Sequence, residues 1–232
     1  KKYPSVEDYP AYVEDLCQAM HALADSLSFE YELTGIGIGA PNANYHKGTV
    51  ENPANLWKFR EGDPNPDESR RVFPLADDIR NCFGGVKVLV TNDANAATIG
   101  EMIYGNAKGM RDFIMITLGT GLGSAHYDGG RLAPHLELSH APVRRATTYD
   151  AFIGEPERRR LGDALWSRRV LRVVEGLAPV FRWDRLYLGG GNSGRITAQV
   201  RDRLGPEVVV VPNSAALVGG VRAWSLWGDD KI

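Results

Sequence analysis

Gly119-Thr120-Gly121-Leu122-Gly123-Ser124 breaks an apolar stretch with a run that carries very little side chain. Two chemistries suit such a run. Glycines satisfy the positive-φ positions of a hairpin turn, and a bare turn also lets backbone N–H groups close on an anion. Asn92-Asp93 is a second candidate. Asn and Asp are favoured helix caps, and an acid is favoured at a helix N-terminus by the macrodipole. An Asp in that place can equally accept a proton from a substrate hydroxyl. Glu137-Leu138-Ser139-His140 sets a carboxylate and an imidazole three residues apart, able to share one polar ligand or merely one surface turn. Gly189-Gly190-Gly191 follows the apolar run RLYL; it suits a tight strand-to-helix turn or close backbone approach to a flat or anionic ligand. Finally, Asn42, Asn44, Asn52 and Asn55 crowd into GAPNANYHKGTVENPANLW (39–57). Asn offers donor and acceptor together, which fits hydroxyl recognition, and it is also a common turn residue.

The elements that must position these residues follow from periodicity. Apolar residues at Tyr12, Val13, Leu16, Met20, Leu23 and Leu27 have helical spacing, with Ser5 as the cap of a helix over 6–27. TGIGIGAPN (34–42) reads as a short buried strand ending in a turn, and 43–78 reads as loop-rich. VKVLVT (86–91) is a β-branched strand that runs into a helix from Asn92 to about Tyr104. A hairpin over 113–127 contains the glycine run. A helix near 163–181, a strand over 184–193, a strand Val208–Val211 and a last helix over 215–227 complete the chain. Strands alternating with helices predict an α/β fold.

The bulk composition places limits on function. The chain has 232 residues, 43% hydrophobic and 24% charged, with formal net charge -2, which is ordinary for a globular protein. No run of eighteen apolar residues indicates a membrane span, and the amino end lacks a secretory h-region. Cys17 and Cys82 are few and far apart, which argues against a disulfide framework and a Cys-based zinc site and predicts a cytoplasmic protein. The charge is uneven: residues 141–203 hold 13 arginines, no lysine and 7 acids. Arg158, Arg159 and Arg160 stand at the centre of a cluster of eight arginines from Arg144 to Arg172. It reads as a solvated helix face or as a track for a polyanion.

The order G-A-P-N, N-L-W, N-D-A-N-A-A, L-G-T-G-L-G-S, E-x-x-H, G-G-G-N resembles the ROK family of sugar kinases and sugar-responsive repressors, from about Gly35 to Trp224. The carboxyl part is similar to the polyphosphate-glucokinase branch. The resemblance implies an actin-like, hexokinase-like ATPase fold with a ribonuclease H-like motif, in two lobes about a central cleft. It implies a small lobe from 1–92 plus 214–232, and a large lobe from 93–213. It further implies transfer of a phosphoryl group from ATP or polyphosphate, with Mg²⁺, to the 6-hydroxyl of glucose or a related hexose. Asp93 then matches the base. Asn42, Asn55, Asn92, Glu137 and His140 match sugar-binding positions. Gly119, Thr120, Gly121 and Gly123 match a phosphate loop, and Gly189, Gly190 and Gly191 the nucleoside stretch. A homodimer is also compatible, and neither nucleic acid nor membrane is implied as a partner.

Three departures from the family pattern stand out. The amino-terminal D-x-G-G-T phosphate loop is absent from this sequence, so the chain is expected to be an inactive fragment of a kinase lacking the first strands of its small lobe. E-x-G-H appears with Ser139 in place of glycine, and serine tolerates φ > 0 less well, so an altered local backbone is expected. The family's cysteine-rich zinc motif is missing, so no structural zinc is expected. A sugar-sensing repressor, or a kinase for N-acetylglucosamine, N-acetylmannosamine or mannose, are the alternatives.

Overall fold

The computed structural model describes residues 9–51, 72–133, 137–212, 219–220 and 222. Ser5, Asn52, Asn55 and most of the expected last helix lie outside the described residues. By its contacts the chain divides into Lys1–Asn92 with Val221–Ile232, and Asp93–Gly220.

In the first unit, β1 (Gly35–Gly39) pairs in parallel with β5 (Lys87–Thr91), in register from Gly35↔Lys87 to Gly39↔Thr91. Between them in sequence, β2 (Ala43–Asn44), β3 (Thr49–Glu51) and β4 (Val72–Phe73) form a small antiparallel sheet. α2 (Leu75–Cys82) then buries Leu75, Ala76 and Ile79 on one stripe, and Asp77 and Asp78 sit in its first turn, where the dipole favours them. The expected loop-rich stretch 43–78 therefore contains ordered strands and the start of a helix. They escape notice because two- and three-residue strands carry too little alternation to read.

α1 (Tyr9–Asp25) packs on this unit through Cys17, Tyr12, Val13, Leu16 and Met20. Tyr9 Oη donates to Asp78 Oδ2 at 2.6 Å, and Cys17 is disulfide-bonded to Cys82. The expectation of two unlinked cysteines is thus corrected. Sixty-five residues separate them in sequence, but α1 and the end of α2 bring their Cα atoms to 6.3 Å.

The second unit is a five-stranded mixed sheet in the order β12-β11-β6-β7-β8. β6 (Phe113–Leu118) is parallel to β11 (Arg185–Gly189), which is parallel to β12 (Val208–Val210). β7 (Leu122–Asp128) returns antiparallel to β6, and β8 (Arg131–Ala133) follows it. Residue alternation sends Ile114, Ile116 and Leu118 to one face and Phe113 and Met115 to the other. Both faces are covered, which explains why β6 reads as a continuous apolar run.

One cover is α3 (Asp93–Tyr104), whose Ala94 and Ala97 allow close approach to Phe113, Met115 and Ala125. The other is α5 (Glu155–Phe181), which places Trp166, Val170, Val174 and Leu177 against Ile114, Ile116, Leu186 and Leu188. Trp166 is fully buried and donates from Nε1 to Ile153 O at 2.7 Å, so its one polar atom is satisfied. α5 begins earlier than the expected 163. Gly162, at φ 73 and ψ 161, breaks the helical path, and a preceding turn from Glu155 carries Pro156 near its start. β9 (Pro142–Arg144), β10 (Thr147–Thr148) and α4 (Tyr149–Ile153) lead into it, and α6 (Ala198–Arg201) separates β11 from β12. Among the described residues no helix is long and apolar enough to cross a membrane.

Candidate active site

In the first unit, the two parallel strands end side by side, and Ala40 N donates to Thr91 O at 2.8 Å. Asn42 follows β1 in the left-handed region at φ 55, a conformation Asn tolerates better than most residues. Asn92 follows β5. Both therefore occupy the carboxyl end of an open parallel pair, where ligands bind in α/β sheets.

In the second unit, Asp93 opens α3 at its first turn. Loss of surrounding water raises its pKa above the ordinary aspartate value; backbone N–H groups of Ala94 and Asp93 oppose this, and the negative charge of Asp150 adds to it. Asp150, on α4, was not among the residues singled out from sequence. Its Oδ1 accepts the N–H of Leu122 at 2.6 Å, so it touches the glycine run directly.

The glycine run closes on itself through Gly119 N donating to Gly121 O at 3.0 Å. Its glycines have different reasons to be glycine. A Cβ at Gly121 would collide with the Asp150 carboxyl, and one at Gly123 with the Thr117 hydroxyl. At Gly190, φ is 86 and a Cβ would strike the Leu118 backbone. Gly189 lies against Val211 and Met115. Among the described residues, a Cβ on Gly119 or Gly191 would meet nothing within 4 Å, and neither has a positive φ. Packing and backbone conformation thus account for Gly121, Gly123, Gly189 and Gly190, and leave Gly119 and Gly191 open. Thr120 sits between two of these glycines and accepts the Glu155 N–H on its carbonyl at 3.0 Å.

Glu137 precedes a 3₁₀ turn, Leu138–His140, that packs on β7 and α4. Ser139 is buried, and its hydroxyl donates to Glu137 Oε1 at 2.6 Å. Its backbone is not left-handed, so serine needs no strain here. His140 is exposed at the end of the turn. The second unit therefore brings together Asp93, Asp150, the 119–123 run, the 189–191 turn and the Glu137–His140 turn.

The central arginines are already engaged. Arg158 donates from Nε and Nη2 to Glu155 and from Nη1 to Asp163. Arg159 pairs with Glu155, and Arg160 and Arg169 with Glu157. Among the described residues, no group of three or more His, Cys, Asp and Glu side chains is placed to hold a metal ion.

The family model described as "ROK family" matches residues 5–134. Over 194 residues the chain is 31% identical to a polyphosphate glucokinase of Mycobacterium tuberculosis (strain ATCC 25618 / H37Rv), spanning 81% of this chain and 69% of that protein. Among solved structures, an inorganic polyphosphate/ATP-glucomannokinase from Arthrobacter sp. strain KM superposes with TM-score 0.73 at 24% identity, over 92% of this chain and 82% of that one. A ROK family glucokinase from Streptomyces griseus in complex with glucose and AMPPNP gives TM-score 0.72 at 21% identity, over 96% and 90%. The mixed α/β architecture is thus that of hexokinase-like ATPases, and this chain belongs to the ROK family.

Proposed function

We propose that the protein is a sugar kinase that moves a phosphoryl group from ATP or polyphosphate to the 6-hydroxyl of glucose. The observation that carries this reading is the pair Gly119 and Gly191. Each lacks a side chain where neither packing nor backbone conformation requires it, which leaves room for a donor to lie against bare backbone. Gly121, Gly123, Gly189 and Gly190 shape the same two turns, and Thr120 adds a hydroxyl.

Asp93 takes the proton from the attacking hydroxyl. A raised pKa makes its carboxylate a better proton acceptor than that of an ordinary aspartate. Asn42, Asn55, Asn92, Glu137 and His140 are assigned to the sugar hydroxyls on the family resemblance alone. Such polar groups reject ligands that lack the matching hydroxyl, because their own bonds would go unmade.

Mg²⁺ suits this donor set without a protein cage, since it is commonly held by substrate phosphates, waters and one or two carboxylates. When bound it would supply charge neutralisation on the donor; Asp150 and Asp93 would be the carboxylates to hold it, since Glu155 beside the same run is paired with Arg158 and Arg159. The likeness to a polyphosphate glucokinase and to a polyphosphate/ATP-glucomannokinase keeps both donors in the proposal.

The test is an assay of the full-length protein with ATP and with polyphosphate, each against glucose, mannose, N-acetylglucosamine and N-acetylmannosamine. Phosphorylation of glucose above the other sugars is the expected result. Sugar binding with no phosphorylation by either donor would overturn the kinase and favour a sensing role.

A further inference from the structure

Asn192 joins parts of the chain that are distant in sequence. Its Nδ2 donates to the Gly119 carbonyl at 3.1 Å and to Glu155 Oε2 at 2.8 Å. Its backbone N–H donates to Leu118 O at 2.9 Å, and the Glu155 N–H donates to Thr120 O at 3.0 Å. The run 118–120 is therefore held from two sides, by the residue that follows Gly191 and by the first residue of α5. These bonds belong to no helix or strand ladder. A glycine-rich turn has many accessible shapes, so bonds of this kind decide which one it keeps.

Glu155 is an unexpected neighbour for turns assigned to an anionic donor, since a bare carboxylate would repel phosphate. Its charge is offset where it stands. Arg158 Nε and Nη2 reach its two oxygens at 2.7 and 2.9 Å, and Arg159 Nε reaches Oε1 at 2.7 Å. Arg158 first, then Arg159, with Asn192 also contributing, hold the carboxyl down to about 2. So compensated, Glu155 can serve as a fixed acceptor for Asn192 without opposing a nearby phosphate.

We propose that Glu155 and Asn192 form a clamp that fixes the two glycine turns relative to each other, making both positioning residues for the phosphoryl donor. The proposal rests on the kinase reading above for what the turns bind. Phosphoryl transfer depends chiefly on positioning and electrostatics, so a loosened clamp weakens donor binding and slows transfer while sugar binding persists.

The experiment uses the full-length protein, Glu155→Ala, Asn192→Ala, the double variant and Glu155→Gln. AMPPNP and short-chain polyphosphate are titrated by calorimetry, glucose is titrated without donor, and kcat and KM are measured for each substrate. Each single alanine variant should weaken donor binding about tenfold, as expected for one lost charge-assisted bond. The double variant should also lose about tenfold rather than about a hundredfold, because both changes open the same clamp. Glu155→Gln keeps an acceptor oxygen for Asn192 and should stay within about threefold of the parent, for the same reason. Donor affinity unchanged in either single variant, additive losses in the double, or an equal fall in glucose affinity would each overturn the clamp. A parent protein that phosphorylates no hexose, with donor binding still lost non-additively in the variants, would sink the kinase reading and uphold the clamp.

Discussion

The carboxylate of Asp150 accepts the backbone N–H of Leu122 at 2.6 Å, in the space that a side chain on Gly121 would occupy. One glycine thus admits one acid, and that acid in turn bears on Asp93. The candidate base, the glycine run and α4 form one connected arrangement within the second unit.

The glycines should separate by experiment into two classes. Gly190→Ala forces a Cβ onto the Leu118 backbone from a left-handed residue, and should cost about 2 kcal/mol or more of stability. Gly119→Ala meets no atom of the described residues, so its melting temperature should match the parent. Its donor KM should nonetheless rise several-fold, on the order of 1 kcal/mol of lost approach. Thermal melts beside donor titrations distinguish the two; a Gly119→Ala protein with parental donor KM would remove the ligand from that position.

Asp93→Asn should lower kcat by about 10²-fold or more and leave glucose affinity largely intact. The stability effect has the opposite sense. A folded pKa raised above the unfolded value contributes stability that is complete below the unfolded pKa and is lost as pH rises through the folded one. Above that folded pKa the Asp93 carboxylate is therefore a cost, and the variant should melt no lower than the parent. Calorimetry of glucose binding, steady-state kinetics and a melt at pH 7 check the three statements. Near-parental turnover would return Asp93 to the role of helix terminus.

Arg158 commits Nε, Nη1 and Nη2 to Glu155 and Asp163, with its side chain only 18% exposed. Arg158→Ala should therefore act on structure first, costing about 1–3 kcal/mol by leaving two carboxylates without their cation. If the central arginines instead grip polyphosphate, the variant should lose polyphosphate affinity with a parental melt, and the salt dependence of that affinity should flatten. A lowered melt with equal loss for ATP and polyphosphate is the expected outcome.

The β5–α3 junction and the 113–127 hairpin were legible in the sequence because long apolar strands bounded by Gly, Asn and Asp carry both periodicity and punctuation. Asp150 was not. An isolated acid in TYDAFIG has no local pattern, and its importance arises only when α4 packs beside residue 121. The bond between Glu155 and Asn192 was hidden likewise, the two being 37 residues apart, although Asn192 itself was visible as the last residue of G-G-G-N. Glu155 was counted only among the seven acids of the arginine-rich stretch 141–203. Ser139 shows the converse case: the departure from glycine was visible, but not the hydroxyl bond to Glu137 that accommodates it.

The Cys17–Cys82 disulfide closes a long loop, which in the chain-entropy account is worth up to about 4 kcal/mol through restriction of the unfolded state. Reduction of the protein should lower its melting temperature, and Cys17→Ser should reproduce the reduced value with or without reductant. Mass measurement after alkylation, before and after reduction, reports the thiol count directly. Two alkylated thiols in protein that was never reduced would show the link to be absent in solution.

The pH profile tests the pairing of Asp93 with Asp150. Only the carboxylate form of Asp93 can accept the hydroxyl proton, so kcat/KM should fall as pH drops through its pKa. Burial raises that pKa, and the Asp150 charge raises it further, which puts the acidic limb above the ordinary aspartate value of 3.8. Asp150→Asn removes the second contribution and keeps an amide oxygen to accept the Leu122 N–H, so the glycine run should hold its shape. The acidic limb should then move to lower pH, whatever happens to the height of the plateau. Its position, read from kcat/KM between about pH 4 and 8, is the diagnostic quantity because it reports a pKa of the free enzyme. An unmoved limb in Asp150→Asn would mean that the two carboxylates do not sense each other; a limb lost altogether in Asp93→Asn, and shifted in Asp150→Asn, would identify Asp93 as the group that titrates.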